Sequence, residues 1–518
     1  MARYKSDDFN QMILAPISLK EQLVPGTLEY AIHHVIEERI DLSLFDARYS
    51  NDETGRKSIS PKVLLKVVLF GYSRGMLSSR SLERACGENI IFMALGSGHK
   101  PDHSTFAAFI SSLENEIGPL FTKVLLICEE EDLLGGTHFS LDGMKLSSNA
   151  AKEWSGTFSD LKKKREALER KVREALYEHR EADKRERGEY ETDSKRQEKR
   201  INRLKQKADR IDKFLQENEP KAGSGGKEIQ SNVTDNESAK MATSHGVVQG
   251  YNANAIVDEK HQVVLHGEAF GRGEDSTVMK TMLEGAKEKL EAAGWEEPLR
   301  GMIISADTGY YSVKNLEDCK ELEVDAYVPD PQFRKRDVRF EEAHRYRRSV
   351  DRHKERYTSK KRYFSVEDFT WDEKIGKLIC PAGHGLYVRN RNFVTVDGHK
   401  AIAYQAPKTA CRGCALRSKC LRNPGTVSRQ VHVFYGKRPG SITDEMKQKI
   451  DTPEGRRTYS KRLGIVEPVF GNIRSCKKMD RFTLRGRIKV TIQWLLYCLV
   501  HNIEKIANYG KTYVMVPA

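Results

Sequence analysis

The chain contains no run of eighteen or more apolar residues, so no membrane-spanning helix is expected. Its first stretch, MARYKSDDFNQM, has no apolar core of signal-peptide length. Cysteine is sparse, nine in 518 residues, and without a leader these thiols are expected to be reduced in a cytoplasmic protein. Histidine is not set up for nucleophilic catalysis. His138, His266 and His501 pair with no Ser or Cys nucleophile and are expected to be structural. Acidic charge falls short of basic: Lys and Arg number 88 against 74 Asp and Glu, a formal net charge of +14 with a pI near 9.1. That surplus points to a polyanionic partner, nucleic acid before membrane.

The length accommodates three or four domains. Up to about residue 130 the pattern is one of short helices. SPKVLLKVVLFGYSRGM opens with a Ser60–Pro61 cap pair and carries Val63, Leu64, Val67, Val68 and Tyr72 on one face. SSRSLERACGENIIFMAL predicts a second helix and PDHSTFAAFISSLENEI a third, compatible with a helix-turn-helix-like DNA-binding unit or with a plain packing domain. THFSLDGMK then reads as a strand ending at Asp142. Next, Leu161, Leu168, Val172 and Leu176 form one apolar stripe, and Ile201, Leu204, Ala208, Ile211 and Leu215 another, with RGEYETD able to turn the chain between them. An inserted antiparallel helical hairpin is expected there. GVVQGYNANAIVDEKHQVVLHGEAF predicts two strands joined at Asp258–Lys260, and LRGMIISADTGYYSVKNLEDCKELEVDAYVPD predicts strand, turn, helix, strand. Three antiparallel strands followed by two reached through helices make the order of a ribonuclease-H-like sheet.

The expected fold is therefore α+β and multidomain. Residues 1–130 form a helical DNA-binding domain, 131–150 with 228–335 a ribonuclease-H-like core, and 151–227 the inserted hairpin and linker. Residues 336–445 form a basic, irregular, cysteine-bearing insert, and 446–518 the helices completing the core.

Asp142 and Asp307 are expected at the ends of two adjacent strands. Asp at a strand end is also a common turn cap. Two carboxylates brought together, however, repel unless cations lie between them. Hard oxygen ligands in an open site suit Mg²⁺ or Mn²⁺, and a pair of such ions roughly 3.5–4 Å apart serves in-line phosphoryl displacement. A third acid is expected from YSKRLGIVEPVFGNIR, where Glu467 stands among apolar neighbours. Pro468 predicts that a helix there kinks or begins, with Glu467 near its N-terminal end.

The stretches PKVLLKVVLFGYSRGMLSSRSLE, PDHSTFAAF, SLDGMKLSSNA, TDNESAKM, GYNANAIVDEKHQVV, ISADTGYYS, CPAGH and YSKRLGIVEPVFGNIR…RFTLRGRIKV…WLLYCLVHNI, in that order, resemble a DDE transposase of bacterial insertion sequences. The kind resembled has a helical N-terminal domain and a cysteine-bearing insert before the catalytic Glu. The resemblance implies a catalytic, metal-binding triad of Asp142, Asp307 and Glu467, with Tyr459, Arg462 and Arg474 as phosphate contacts. The Arg-to-Glu gap is one residue longer than the commonest form, and Arg474 replaces the usual Lys. It also implies cleavage at element ends, then attack of the freed 3′-hydroxyl on target DNA. The implied partners are double-stranded terminal inverted repeats and target DNA, handled by at least a homodimer. A nuclease of the same fold and an inactive DNA-binding descendant are the alternatives.

Cys380 in CPAGHG, with Cys411, Cys414 and Cys420 in CRGCALRSKC, has the spacing of a structural Zn²⁺ site, and His384 could replace one thiolate. Buried free thiols are the alternative. Cys86, Cys128, Cys319, Cys476 and Cys498 read as packing residues. The basic run RKRDVRFEEAHRYRRSVDRHKERYTSKKR is expected to contact phosphates.

Overall fold

A computed structural model describes residues 17–48, 58–185, 191–223, 226–243, 246–340, 363–395, 400–435 and 440–512. Most of the basic run, 341–362, lies outside them.

Six short helices come first: α1 (Leu28–His34), α2 (Pro61–Ser73), α3 (Ser79–Glu88), α4 (Ile90–Leu95), α5 (His103–Ser111) and α6 (Ile117–Glu130). The Ser60 hydroxyl accepts from Lys62 N and Pro61 occupies the first helical position of α2, as the cap pair predicts. The second expected helix divides in two at Asn89. That residue is extended (φ −116°), and its side chain accepts from the Ile91 and Phe92 amides to start α4. A capping side chain here outweighs continued apolar periodicity.

The main sheet is mixed. β1 (His138–Ser147) pairs antiparallel with β5 (Gly246–Asp258), and β5 pairs antiparallel with β6 (Val264–Phe270). On its other side β1 pairs parallel with β7 (Ile303–Ala306), which pairs parallel with β8 (Asp325–Tyr327). A further strand, β4 (Ala239–Thr243), adds to the first part of β5. The spatial order is β6–β5–β1–β7–β8, with β4 beside the first part of β5. The parallel strands are reached through α9 (Met279–Ala292) and α10 (Val313–Glu321).

Between β1 and β4 runs the arm. The short strands β2 (Ser155–Gly156) and β3 (Ser231–Asn232) pair antiparallel at its base. Helices α7 (Phe158–Arg185) and α8 (Glu191–Glu217) pack together, with Leu161, Ile211 and Phe214 buried between them. Arg165, early in α7, pairs with Asp212, late in α8, so the two run antiparallel. The expected turn at 187–193 falls mostly outside the described residues.

Residues 336–445 are less irregular than expected. β9 (Thr370–Asp372), β10 (Lys377–Ile379), β11 (Gly385–Val394), β12 (Lys400–Gln405) and β13 (Gln430–Phe434) form a five-stranded antiparallel sheet. Short helices α11 (Lys408–Arg412) and α12 (Arg417–Cys420) sit between β12 and β13. The sheet has its own small core of Phe369, Leu378, Leu386, Tyr404, Val431 and Val433. Short alternating strands bury one face without any long apolar run, which is why the sequence hid it.

The chain closes with α13 (Ile442–Asp451), α14 (Pro453–Gly471) and α15 (Arg487–Tyr509). Helix α15 is buried almost all round and packs against α2 and α6 as well as β5 and β6. Tyr72 of α2 stacks on its Tyr497 with ring centroids 4.7 Å apart. The N-terminal helices and the mixed sheet therefore share one continuous apolar core. Gly267 lets Trp494 close on β6: a Cβ there would lie 2.8 Å from the indole nitrogen, which donates to the Asn254 carbonyl at 2.9 Å. Among the described residues no helix is long and apolar enough to cross a membrane.

Candidate active site

Strand β7 is a short apolar run that stops where Asp307 turns its carboxylate back to accept from Thr308 N at 2.7 Å, capping a single 3₁₀ turn, Thr308–Tyr310. Asp142 is not at a strand end, as the sequence had suggested. It is the fifth residue of β1, which continues to Ser147 in partnership with β5. The parallel register places Leu141 opposite Ala306, so Asp142 and Asp307 follow at neighbouring positions on the same face. The two carboxylates feel each other. Burial holds the Asp142 carboxyl above its usual range, and the charge of Asp307 adds to that, while Arg462 opposes it.

Arg462 comes from α14, which packs across β1, β5, β7 and β8. Its guanidinium donates to Asp142 Oδ2 at 2.7 Å, and the other oxygen, Oδ1, accepts from Gly143 N at 2.8 Å. Tyr459, one turn earlier, lies with its ring 5.9 Å from the guanidinium carbon and edge-on to Phe333. Burial raises its phenol, and Arg462 works against that. Asp142, Asp307, Arg462 and Tyr459 are thus brought together.

Glu467 and Arg474 are not brought into this group. Helix α14 runs unbroken through Pro468, so Glu467 lies toward its C-terminal end, not its start. Proline deprives the Gly464 carbonyl of its helical donor, and the Gln262 side chain supplies one instead at 2.9 Å. The helix is rescued by a long-range contact that no local pattern encodes. Five residues past Arg462, Glu467 is turned about 140° further round the helix. It is exposed and forms no ion pair or hydrogen bond among the described residues, so its apolar sequence neighbours do not bury it. Arg474 is exposed on a π-helical turn, Asn472–Cys476. Cys476 in the same turn is exposed, contrary to the packing role expected of it, whereas Cys86, Cys128, Cys319 and Cys498 are buried.

One nearby acid was not anticipated. Asp275 follows β6 and packs against the Asp307 turn: a Cβ on Gly309 would lie 2.9 Å from its Oδ2. Its Oδ1 accepts from Asn252 Nδ2 at 2.6 Å. In sequence it stands in GEDST just before a helix, the same acid-after-strand signature as Asp307, and is easily read as a cap.

His138 has a serine partner that the sequence did not show. His138 is buried and bonds Ser305 Oγ at 3.0 Å, and His501 is buried against the Gln262 carbonyl. In the smaller sheet, Cys380, Cys411, Cys414, Cys420 and His384 line one cavity. Burial lifts the Cys420 thiol, and the other three thiols lift it further, so all four share one electrostatic neighbourhood. The His384 amide donates to Cys380 Sγ at 3.4 Å. Among the described residues, no three His, Cys, Asp or Glu side chains stand close enough to enclose a metal ion.

Two family models match the chain. The family described as Transposase domain (DUF772) covers residues 18–112, the N-terminal helices. Transposase DDE domain covers 379–507, which holds most of the smaller sheet, α14 with Glu467, and nearly all of α15, but neither Asp142 nor Asp307. No curated protein and no solved structure matches. One transposase family model thus matches on each flank of the central sheet, which is consistent with a DDE transposase of the insertion-sequence type.

Proposed function

We propose that the chain cleaves DNA at the ends of an insertion sequence and joins the freed 3′-hydroxyl to target DNA. The observation carrying this reading is the pairing of Asp142 and Asp307 on adjacent parallel strands, with Arg462 beside them, in a chain matching transposase families at both flanks. The strand order supports a ribonuclease-H-like core.

The donor set fits a hard divalent cation such as Mg²⁺ or Mn²⁺. Asp307 Oδ2 makes no hydrogen bond among the described residues. Such ions commonly take only one or two carboxylates and complete their shell with water and substrate phosphate, so a fully enclosed protein site is not required. Once bound, the cation would supply charge for activating the attacking oxygen and stabilising the leaving one. Asp142 and Asp307 would hold it. Arg462 keeps Asp142 oriented and, with Tyr459, faces the position a phosphodiester would take. Arg474 would meet DNA phosphate farther along. Glu467, exposed and unpaired, is the proposed third acid and would join when DNA covers this side of α14. The thiols of Cys380, Cys411, Cys414 and Cys420 are soft donors suited to structural Zn²⁺. The partners in this reading are terminal-repeat and target DNA, bound by a homodimer in a bacterial cytoplasm.

The test is a plasmid assay with element-end DNA and Mg²⁺. Cleavage followed by joining, both lost in Asp142→Asn and Asp307→Asn, is the expected result. Cleavage without joining would favour a nuclease, and binding without cleavage an inactive descendant. One protein per paired-end complex in size exclusion would remove the homodimer.

A further inference from the structure

The smaller sheet carries charge of almost one sign. Between Lys377 and Tyr435 the chain has ten Lys and Arg and a single acid, Asp397. None of the ten forms an ion pair among the described residues. Like charge concentrated in a small module repels itself and weakens the compact state, so its reason lies outside the fold. Some of the ten do serve the fold. Arg417 donates to the carbonyls of Cys411, Pro424 and Thr426, and Arg429 to those of Cys420 and Phe364. Arg389 and Arg391 are not used in this way. Arg389 reaches the Gln430 side chain at 3.3 Å, and the Arg391 side chain has no partner among the described residues.

Both arginines lie where β11 has an open edge. β10 pairs with β11 at Gly385 and Leu386 and no further, so from Tyr387 onward that side of the strand is unpaired. Tyr387 to Asn392 are all exposed. On its paired side β11 slips twice against β12, between Val388 and Asn390 and again between Asn390 and Phe393. The distortion is held in place: the Tyr435 hydroxyl donates to the Arg391 carbonyl at 2.8 Å, and Asn390 Oδ1 accepts from Asn392 N at 2.9 Å.

An open edge ordinarily invites another strand. Bulges bend this one and break the regular row of donors and acceptors that an added strand needs. What it presents instead is two guanidinium groups with unspent donors, suited to phosphate oxygens. Protection against strand pairing explains a charge on the edge itself. It does not explain a module in which basic residues outnumber acids throughout.

We infer that the open edge of β11, Tyr387–Asn392, is a contact surface for the phosphate backbone of duplex DNA, with Arg389 and Arg391 as the contacting cations. The inference rests on the DNA-processing reading above and gives it a surface on a sheet that contains neither Asp142 nor Asp307. Phosphate contacts carry no base information, so this strand anchors the duplex and does not choose its sequence.

The test is fluorescence anisotropy of a labelled random-sequence duplex, titrated with the full chain over a series of KCl concentrations. Arg389→Gln with Arg391→Gln is expected to weaken binding at low salt at least about tenfold. It should also flatten the slope of log affinity against log salt by about 1.8, since each phosphate contact contributes about 0.9. Arg389→Lys with Arg391→Lys keeps the charge and should keep the slope. Arg391→Gln alone removes no side-chain bond among the described residues and should flatten the slope by about 0.9. That variant decides the matter if the double variant does not fold. Wild-type affinity and slope in the Gln variants overturn the inference. Weaker binding with an unchanged slope overturns it too, as does a Lys pair that binds no better than the Gln pair, because charge would then not be the cause. If wild type binds the duplex and the Gln variants match it, this surface alone fails. If wild type binds no duplex even at low salt, the DNA-processing reading fails with it.

Discussion

Replacing Arg462 by Met tests the electrostatic link between α14 and the sheet. The guanidinium is 8% exposed and Asp142 23% exposed, with donor and acceptor 2.7 Å apart. Breaking a fully buried pair costs about 3–5 kcal/mol, and losing a hydrogen bond to a charged group about 1.5–3. Two features lower the figure here. Asp142 is partly open to water, and Arg462 Nε is itself buried without a partner, so its removal relieves one unsatisfied donor. A net loss of about 2 kcal/mol at neutral pH results, roughly 2–3 °C in the melting midpoint for a cooperative unit of this size. The pH dependence has a definite sign. The Asp142 carboxyl already lies above its usual range and would rise further without Arg462. The penalty is therefore full where Asp142 is ionised and shrinks as pH falls through its folded-state value. Thermal melts at pH 7.5 and at pH 5 of wild type, Arg462→Met, Asp142→Asn and the double variant close the cycle. A midpoint for Arg462→Met within about 1 °C of wild type at pH 7.5 would refute the reasoning, as would a penalty that grows in acid.

Three further outcomes are expected. Gln262→Ala leaves the Gly464 carbonyl without a donor and should destabilise by about 1 kcal/mol; faster amide exchange confined to the last turns of α14 and to the β5–β6 turn is the signature. Gly267→Ala drives a methyl group against the Trp494 indole, and about 1–3 kcal/mol of lost stability, read by melting with a shift in tryptophan fluorescence, should follow. If the four thiols hold zinc, purified protein should contain one Zn²⁺ per chain by mass spectrometry, and Cys411→Ser or Cys414→Ser should abolish it; metal-free protein with an intact smaller sheet by circular dichroism would end that proposal.

Much of this was legible locally. The apolar run Met302–Ile304 leading to Asp307 reads as a strand with an acid at its end, and it forms one. Ser60–Pro61 read as a helix start, and the side chain caps there. Stripes at spacings of three and four read as paired helices, and α7 packs on α8. Each of these depends on interactions within a few residues, which a single sequence displays. The smaller sheet was missed because five short, half-exposed strands give a weak alternating signal in a basic background.

Most of the helices, the five strands of the core and the basic surplus can be read from the sequence alone, whereas β4 and the smaller sheet cannot. The features read that way follow from side-chain periodicity, backbone preference and charge. Only long-range packing placed Asp142 mid-strand beside Asp307, turned Arg462 and not Glu467 toward it, and set Asp275 against the Asp307 turn. Such facts depend on strand register and on the rotation at which α14 docks. One residue of slip, or about 100° of helix turn, exchanges the inner side chain for the outer one, and only contacts between distant segments select between them.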